Sequence, residues 1–180
     1  MPEQKATWST LKKRLSALED KELLKLIGEL YKLTPMNRRF LETRYSSSSK
    51  TLKEFKQIID DALYPNVMRN DDVDFRTAKK AISTYSKATG DKPGIGELMV
   101  FYVERANQFT LDYGDMWEQF YISVESMFER ALKQLQEMQA LGMEIEPLRK
   151  RLEKVVDSTN CIGWGYHDML TQLYGEAFGE

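Results

Sequence analysis

The chain has 180 residues, of which 42% are hydrophobic and 30% are charged, and its formal net charge is −2. This composition is typical of one globular domain and excludes a chain that is disordered throughout. A single cysteine, Cys161, excludes an intrachain disulfide framework and a cysteine-based zinc module. A single histidine, His167, excludes metal-dependent hydrolase sites that are built from several histidines.

Charge is distributed unevenly along the chain. Residues 1–60 have a net charge of +5, residues 61–120 of −3 and residues 121–180 of −4. The basic first third predicts either an ordinary solvated helix surface or a surface that attracts nucleic acid or an acidic partner. A sequence pI near 5.7 argues against a dedicated nucleic-acid binder, which needs clustered lysine and arginine.

The sequence contains none of the segments that direct a chain to a membrane or out of the cell. It has no run of about 18–20 apolar residues of the kind that spans a bilayer. The first eleven residues lack the hydrophobic core of a signal peptide. With the lone thiol, these features predict a cytoplasmic protein.

Apolar residues in the first half of the chain recur every three or four positions, which predicts helices. The predicted helices cover about residues 8–18, 21–31, 35–45, 50–64 and 75–89. Asp20 and Thr34 are predicted N-caps, and the serines at 46–49 are predicted to break the third helix. Gly90 is predicted to end the fifth helix in a left-handed conformation, and Pro93 to prevent its continuation. Residues 90–94 are therefore the candidate boundary if the chain has two lobes.

Four further helices are predicted in the second half, at about residues 95–113, 116–141, 147–158 and 164–178. Asp115 is the predicted N-cap of the long helix over 116–141, which has the strongest amphipathic pattern in the chain. The fold class is thus all-α, with about nine helices in antiparallel hairpins over a single domain, residues 1–180. Both an irregular α–α superhelix and a bundle are compatible with this pattern.

Aromatic side chains suggest the leading function, which is non-catalytic binding of a protein partner or of a second copy. The region 116–128 and the segment before the last helix have more aromatic side chains than packing and capping obviously need. The candidate partner-binding residues are Trp117, Phe120, Tyr121, Phe128, Trp164 and Tyr166. No cofactor and no catalytic residue is predicted from these residues.

Two alternatives use charged residues. Glu97, Glu104, Asp112 and Asp115 are candidate ligands for a divalent cation in an enzyme, since hard cations take oxygen ligands. The second alternative is weak nucleic-acid binding by the basic region, in which the arginines 38, 39 and 44 flank two aromatic residues. Cys161 is predicted to be a small buried thiol, because His167, six residues away, could act as a base for it but no third group is evident that would orient the pair.

Two segments resemble an uncharacterised bacterial family of small all-helical domains of unknown function. They are the N-terminal sequence LEDKELLKLIGELYKL (18–33) with NRRFLE (37–42), and the C-terminal sequence IGWGYHD (162–168). The resemblance covers about a quarter of the chain. It implies an all-α fold and no particular activity.

Overall fold

A computed structural model describes residues 7–45, 49–69 and 72–179 of the chain. These residues form nine α-helices and one short 3-10 helix, and they contain no strand. The α-helices are α1 (Trp8–Leu15), α2 (Asp20–Leu33), α3 (Pro35–Tyr45), α4 (Ser49–Leu63), α5 (Phe75–Thr89), α6 (Lys92–Tyr113), α7 (Glu118–Ala140), α8 (Glu146–Ser158) and α9 (Tyr166–Phe178). The predicted all-α class is confirmed.

Several helix ends lie where short polar residues and glycine predict them. The Thr34 hydroxyl accepts a hydrogen bond from the Asn37 backbone N–H at 3.0 Å, which caps α3. Gly90 ends α5 at φ 65°, a left-handed conformation that a residue without Cβ adopts at low cost. Asp20 is not the N-cap of α2, because the helix begins at that residue and Glu19 precedes it. The predicted serine break falls mainly on residues 46–48, outside the described residues.

Two helix starts differ from the prediction for identifiable reasons. Helix α6 begins at Lys92, three residues early, because Pro93 occupies the first turn, where a backbone N–H has no partner within the helix. Helix α7 begins at Glu118 with Trp117 as its N-cap residue. Asp115 therefore does not cap α7, and its carboxylate is free to bind other groups. The 3-10 helix at Val67–Arg69 lies between the predicted helices over 50–64 and 75–89.

Helix α6 is the centre of the packing, since it contacts α4, α5, α7 and α8. One continuous cluster of buried apolar side chains extends over α4 to α9, on both sides of the turn at Gly90. The largest fully buried side chains are Phe55, Ile59, Leu63, Ile82, Leu98, Tyr102, Phe120, Tyr121, Met127, Phe128, Leu135 and Tyr166. Burial of these side chains is the main source of stability.

The α6–α7 loop and the α8–α9 loop meet at one end of this core. Lys92, at the start of α6, pairs with Glu137 near the end of α7. At the opposite end of helices α6 and α7, Thr110 Oγ1 lies 3.0 Å from the Tyr121 hydroxyl. The indole of Trp164, in the α8–α9 loop, reaches across to the α6–α7 loop. We call the surface formed by residues 111–118 and 157–168 the tryptophan end.

The first two helices lie apart from the core. Neither α1 nor α2 contains a buried residue. Helix α2 packs on α3, and α3 in turn packs on α5. We call α1 and α2 the N-terminal arm. None of the helices in the described part of the chain is both long enough and apolar enough to cross a membrane.

Candidate functional site

The six predicted partner-binding aromatics divide into core residues and surface residues. Four of them are buried and cannot touch a partner, which corrects the prediction for Phe120, Tyr121, Phe128 and Tyr166. Phe120, Tyr121 and Phe128 are buried because α7 is packed between α6 and α9, and Tyr166, at the start of α9, packs on Tyr121. The two tryptophans are on the surface, with Trp117 exposed to 52% and Trp164 to 60%. Both belong to the tryptophan end.

Trp164 is held in an unusual conformation. Its backbone φ of 62° lies in the left-handed region, and it is the only non-glycine residue with positive φ in the described part of the chain. A bulky side chain in this region costs about 1–3 kcal/mol, which the surrounding structure must offset. The indole Nε1 donates a hydrogen bond to Asp115 Oδ2 at 3.0 Å. The result is a large apolar ring fixed in place while most of its surface is in water.

Asp115 connects this indole to the buried core. Its Oδ1 accepts hydrogen bonds from the Tyr121 hydroxyl at 2.6 Å and from the Met116 backbone N–H at 3.1 Å. The Tyr121 hydroxyl also lies 3.0 Å from Thr110 Oγ1, which donates to the Gly114 carbonyl. Donation by Tyr121, followed by donation from Trp164, lowers the pKa of the Asp115 carboxyl below its ordinary value. Asp115 is therefore an anion held by three donors: the Tyr121 hydroxyl, the Met116 N–H and the Trp164 indole N–H.

The end of α6 adds exposed apolar side chains to the tryptophan end. Leu111 and Tyr113 are exposed large side chains at the end of α6. The Tyr113 ring packs 5.7 Å from the ring of Tyr64, whose hydroxyl donates to Asp112 Oδ2 at 2.5 Å. This hydrogen bond raises the pKa of Tyr64 to about 12, so its hydroxyl stays protonated at neutral pH. Trp117 packs edge to face on buried Phe120 at 5.6 Å, which joins the surface ring to the core.

The rim of this apolar surface is acidic. Residues 111–118 and 157–168 include five carboxylates and neither lysine nor arginine. The five are exposed, and none forms an ion pair with another described residue: Asp112, Asp115, Glu118, Asp157 and Asp168. Unneutralised carboxylates around exposed aromatic rings attract cationic groups, both by charge and through the faces of the rings.

A cavity of about 300 Å³ opens beside the Asp115–Tyr121 pair. Its wall includes Cys161, which is exposed, so the predicted buried thiol is wrong. Cys161 lies in the loop between α8 and α9. The Nδ1 of His167 lies at hydrogen-bond distance, 2.9 Å, from Thr159 Oγ1, whose hydroxyl donates to the Val156 carbonyl.

The four candidate cation ligands are separated into two places. Glu97 and Glu104 lie on one face of α6, and both bind Arg151 of α8, at 2.7 Å and 2.6 Å. Asp112 and Asp115 lie at the far end of α6, about 22 Å from Glu97 at 1.5 Å per residue. Burial favours the protonated form of Glu97, but hydrogen bonds from Arg151 and Lys56 outweigh it and lower the pKa of this carboxyl. In the described part of the chain, no three acidic, histidine or cysteine side chains form a group that could hold a metal ion.

The basic side chains predicted to contact nucleic acid have intramolecular contacts. The Arg38 guanidinium lies 5.1 Å above the ring of Tyr31. Arg44 donates hydrogen bonds to the carbonyls of Lys87 and Ala88, both at 3.3 Å, at the end of α5. Arg44 therefore binds the carbonyl end of α5, where a cation is favoured by the helix dipole. The Arg44 contact joins α3 to α5, and the Arg38 contact joins α3 to α2.

A second concave region, a cleft of about 640 Å³, lies between Arg39 of α3 and the segment joining α4 to α5. It contains both basic and acidic side chains, and Asp74 within it is engaged in capping α5 through Thr77. Residues 70 and 71, which belong to the same segment, are not described. The tryptophan end is therefore the better defined site.

Sequence reasoning identified the two exposed tryptophans but missed the groups that orient them. The acceptor role of Asp115 depends on a contact between residues 49 positions apart, which no local pattern reveals. The adjacent glycine at 163 and the left-handed Gly165 are the signal that could have marked the Trp164 loop as a tight turn. The chain matches no protein-family model, no curated protein sequence and no solved structure.

Proposed function

We propose that the chain is a non-catalytic interaction module that binds a protein partner at the tryptophan end. The observation that carries this proposal is the strained, hydrogen-bonded and mostly exposed indole of Trp164. An indole that stays mostly in water adds little to the stability of the fold, although its left-handed backbone is strained. A ring that is already fixed loses little conformational entropy when a partner covers it, which favours binding. Tryptophan is also the residue type most enriched at the energetic centres of interfaces.

The chemistry of the tryptophan end also suggests what the partner presents. Two exposed indoles and the apolar surface of Leu111 fit apolar side chains. The surrounding carboxylates fit lysine or arginine, whose cations also bind the faces of indole rings. A partner segment with both apolar and basic side chains satisfies both requirements. Carboxylates at the rim accelerate association with such a segment and disfavour acidic partners.

The proposal is tested by comparing the partners that bind the intact chain and a variant with a changed site. The tagged chain and the variant Trp117→Ala/Trp164→Ala are used as baits in extracts of the native cell, and bound proteins are quantified by mass spectrometry. We expect the variant to lose at least one protein that the intact chain retains, because truncating an interface tryptophan costs about 2–4 kcal/mol, or about thirtyfold or more in affinity. Both positions are exposed, so the variant keeps the core.

A matched control is available at the opposite end of the core. Leu141→Ala removes another exposed large side chain, 58% exposed, in the α7–α8 connection. The control should retain every partner. If the double tryptophan variant keeps the same set of bound proteins as the intact chain, the tryptophan end is not the binding surface. The cytoplasmic location expected from the sequence remains a prediction, and microscopy of a tagged chain checks it.

A further inference from the structure

The N-terminal arm leaves a broad apolar surface uncovered. Its exposed large side chains are Trp8, Leu11, Leu18, Leu24, Ile27, Leu30 and Leu33, with Trp8 exposed to 68% and Leu24 to 67%. Helix α1 has only eight residues and no extensive contact with another helix of the described chain. Isolated helices shorter than about 12–15 residues are marginal in water, so α1 needs a surface to pack on.

The pattern of charge on α1 defines what that surface must provide. At 3.6 residues per turn, Trp8, Leu11 and Leu15 share one face of the helix. Lys12 lies on one side of this apolar face and Arg14 on the other. The helix contains no acidic residue. Helix α1 thus presents an apolar stripe bordered by two cations.

The tryptophan end has the complementary composition: within residues 111–118 and 157–168 it has two exposed indoles and five exposed carboxylates, and neither segment contains lysine or arginine. We infer that the N-terminal arm of one copy of the chain docks on the tryptophan end of a second copy. The inference rests on the proposed function, since it identifies the partner of that same surface. Apolar contact between α1 and the two indoles supplies affinity, and the flanking cations meet the carboxylate rim.

The two surfaces are different, so the contact is heterologous. Such contacts form a closed ring or a reciprocal dimer when the geometry closes, and an open chain when it does not. The same chemistry could be satisfied if an arm folded back on its own tryptophan end. Dependence on protein concentration separates these arrangements, because only contact between copies follows mass action.

The first experiment is sedimentation velocity of the full chain over about 5 to 200 µM, in about 50 mM and about 500 mM NaCl. We expect the average mass to rise with concentration, and the association to weaken at the higher salt as exposed charges are screened. A chain that sediments as a monomer under all these conditions overturns the inference. The proposed function would survive that result if the Trp117→Ala/Trp164→Ala variant still loses a heterologous partner.

The second experiment reverses the charge on each surface. The arm variant is Lys12→Glu/Arg14→Glu, and the end variant is Glu118→Lys/Asp157→Lys. Each variant alone should self-associate about tenfold less tightly than the intact chain, because like charges then face each other. A mixture of the two variants, with one fluorescently labelled, should recover binding between them, because one pairing of surfaces is again complementary. Recovery in the mixture cannot arise from misfolding of either variant.

The control is Glu144→Lys, a single acid-to-lysine reversal of the same kind on an exposed residue in the α7–α8 connection, away from the tryptophan end. It should self-associate like the intact chain. Circular dichroism checks that every variant keeps its helix content. If charge reversal leaves self-association unchanged, or if the mixture fails to bind, the copies do not meet through these two surfaces.

Discussion

Two buried tyrosine hydroxyls give the clearest test of how the tryptophan end is attached to the core. The Tyr121 hydroxyl donates to Asp115 and accepts from the Met116 backbone N–H at 3.0 Å. The Tyr166 hydroxyl is equally buried but has no hydrogen-bond partner among the described residues. The rings of the two residues lie 4.9 Å apart, so Tyr121→Phe and Tyr166→Phe remove the same atom from one region of the core.

Only Tyr121→Phe should lower the free energy of unfolding. In Tyr121→Phe, the Met116 N–H keeps its bond to Asp115 and Thr110 keeps its bond to Gly114, so no buried donor is stranded. The loss is then one hydrogen bond to a charged acceptor, about 1–2 kcal/mol. For a chain of this length the melting temperature should fall by about 2–8 °C. Tyr166→Phe removes an unsatisfied buried hydroxyl and should be neutral or stabilise by about 1 kcal/mol.

Urea denaturation, monitored by circular dichroism, measures both changes in the free energy of unfolding. The comparison requires that the free energy depends on urea concentration with the same slope in each protein. Partner binding gives a second readout, since Tyr121→Phe removes one of the donors that hold the Asp115 carboxylate in position to orient Trp164, whereas Tyr166→Phe removes none. A Tyr166→Phe protein that is less stable than Tyr121→Phe would refute the assignment of Tyr121 as the attachment point. Equal partner binding by Tyr121→Phe and the intact chain would refute the orienting role of Asp115.

Arg151→Met should destabilise the chain by about 1–3 kcal/mol in urea titrations, because two carboxylates of α6 lose their shared cation in a partly exposed site. A variant as stable as the intact chain would contradict the role of Arg151 as that shared cation. Burial favours the protonated form of Glu97, but its bonds to Arg151 and Lys56 outweigh this effect and hold the pKa below the ordinary value of 4.5. The ionised Glu97 therefore contributes to the free energy of unfolding above pH 4.5, and this contribution is lost as the pH falls through the folded-state pKa. When the pH is lowered from about 6 to about 3, the free energy of unfolding should therefore fall less for Glu97→Gln than for the intact chain. An equal fall in the two proteins would show that the ionisation of Glu97 is not linked to stability. Gly94→Ala should lower the melting temperature, because a Cβ there overlaps the Tyr85 hydroxyl, whereas Gly28→Ala meets open space and should raise helix content.

The sequence predicted helices well where local chemistry sets their ends. Thr34, which precedes a proline, sets the start of α3, and Gly90 sets the end of α5. Both act through atoms within four residues, so these two helix ends can be predicted from the sequence. Pro93 misled the prediction because proline both ends one helix and suits the first turn of the next. Asp115 misled it because a carboxylate that could cap a helix is bound instead by a distant indole.

The candidate site was harder to predict because exposure is set by distant packing. Periodicity places Phe120, Val124 and Phe128 on one face of α7, and the structure buries them against neighbouring helices. It does not reveal that residues before Glu118 lie in a loop and stay in water. Likewise, the spacing of Glu97 and Glu104 correctly gives a shared face of α6, but Arg151 lies 54 and 47 positions further along the chain.

Under the proposals above, the two exposed apolar surfaces serve binding, because they lie outside the buried core that stabilises the fold. Helices α4 to α9 share one continuous buried cluster to which neither the N-terminal arm nor the two exposed indoles belong. Solvent-exposed apolar side chains contribute little to stability, and large ones in contiguous patches promote association. A single uncovered patch would suit any apolar partner. This chain has two such patches of opposite charge, with Lys12 and Arg14 on the first and five carboxylates on the second. Each patch therefore favours a partner of the opposite charge, and a second copy of the chain provides one.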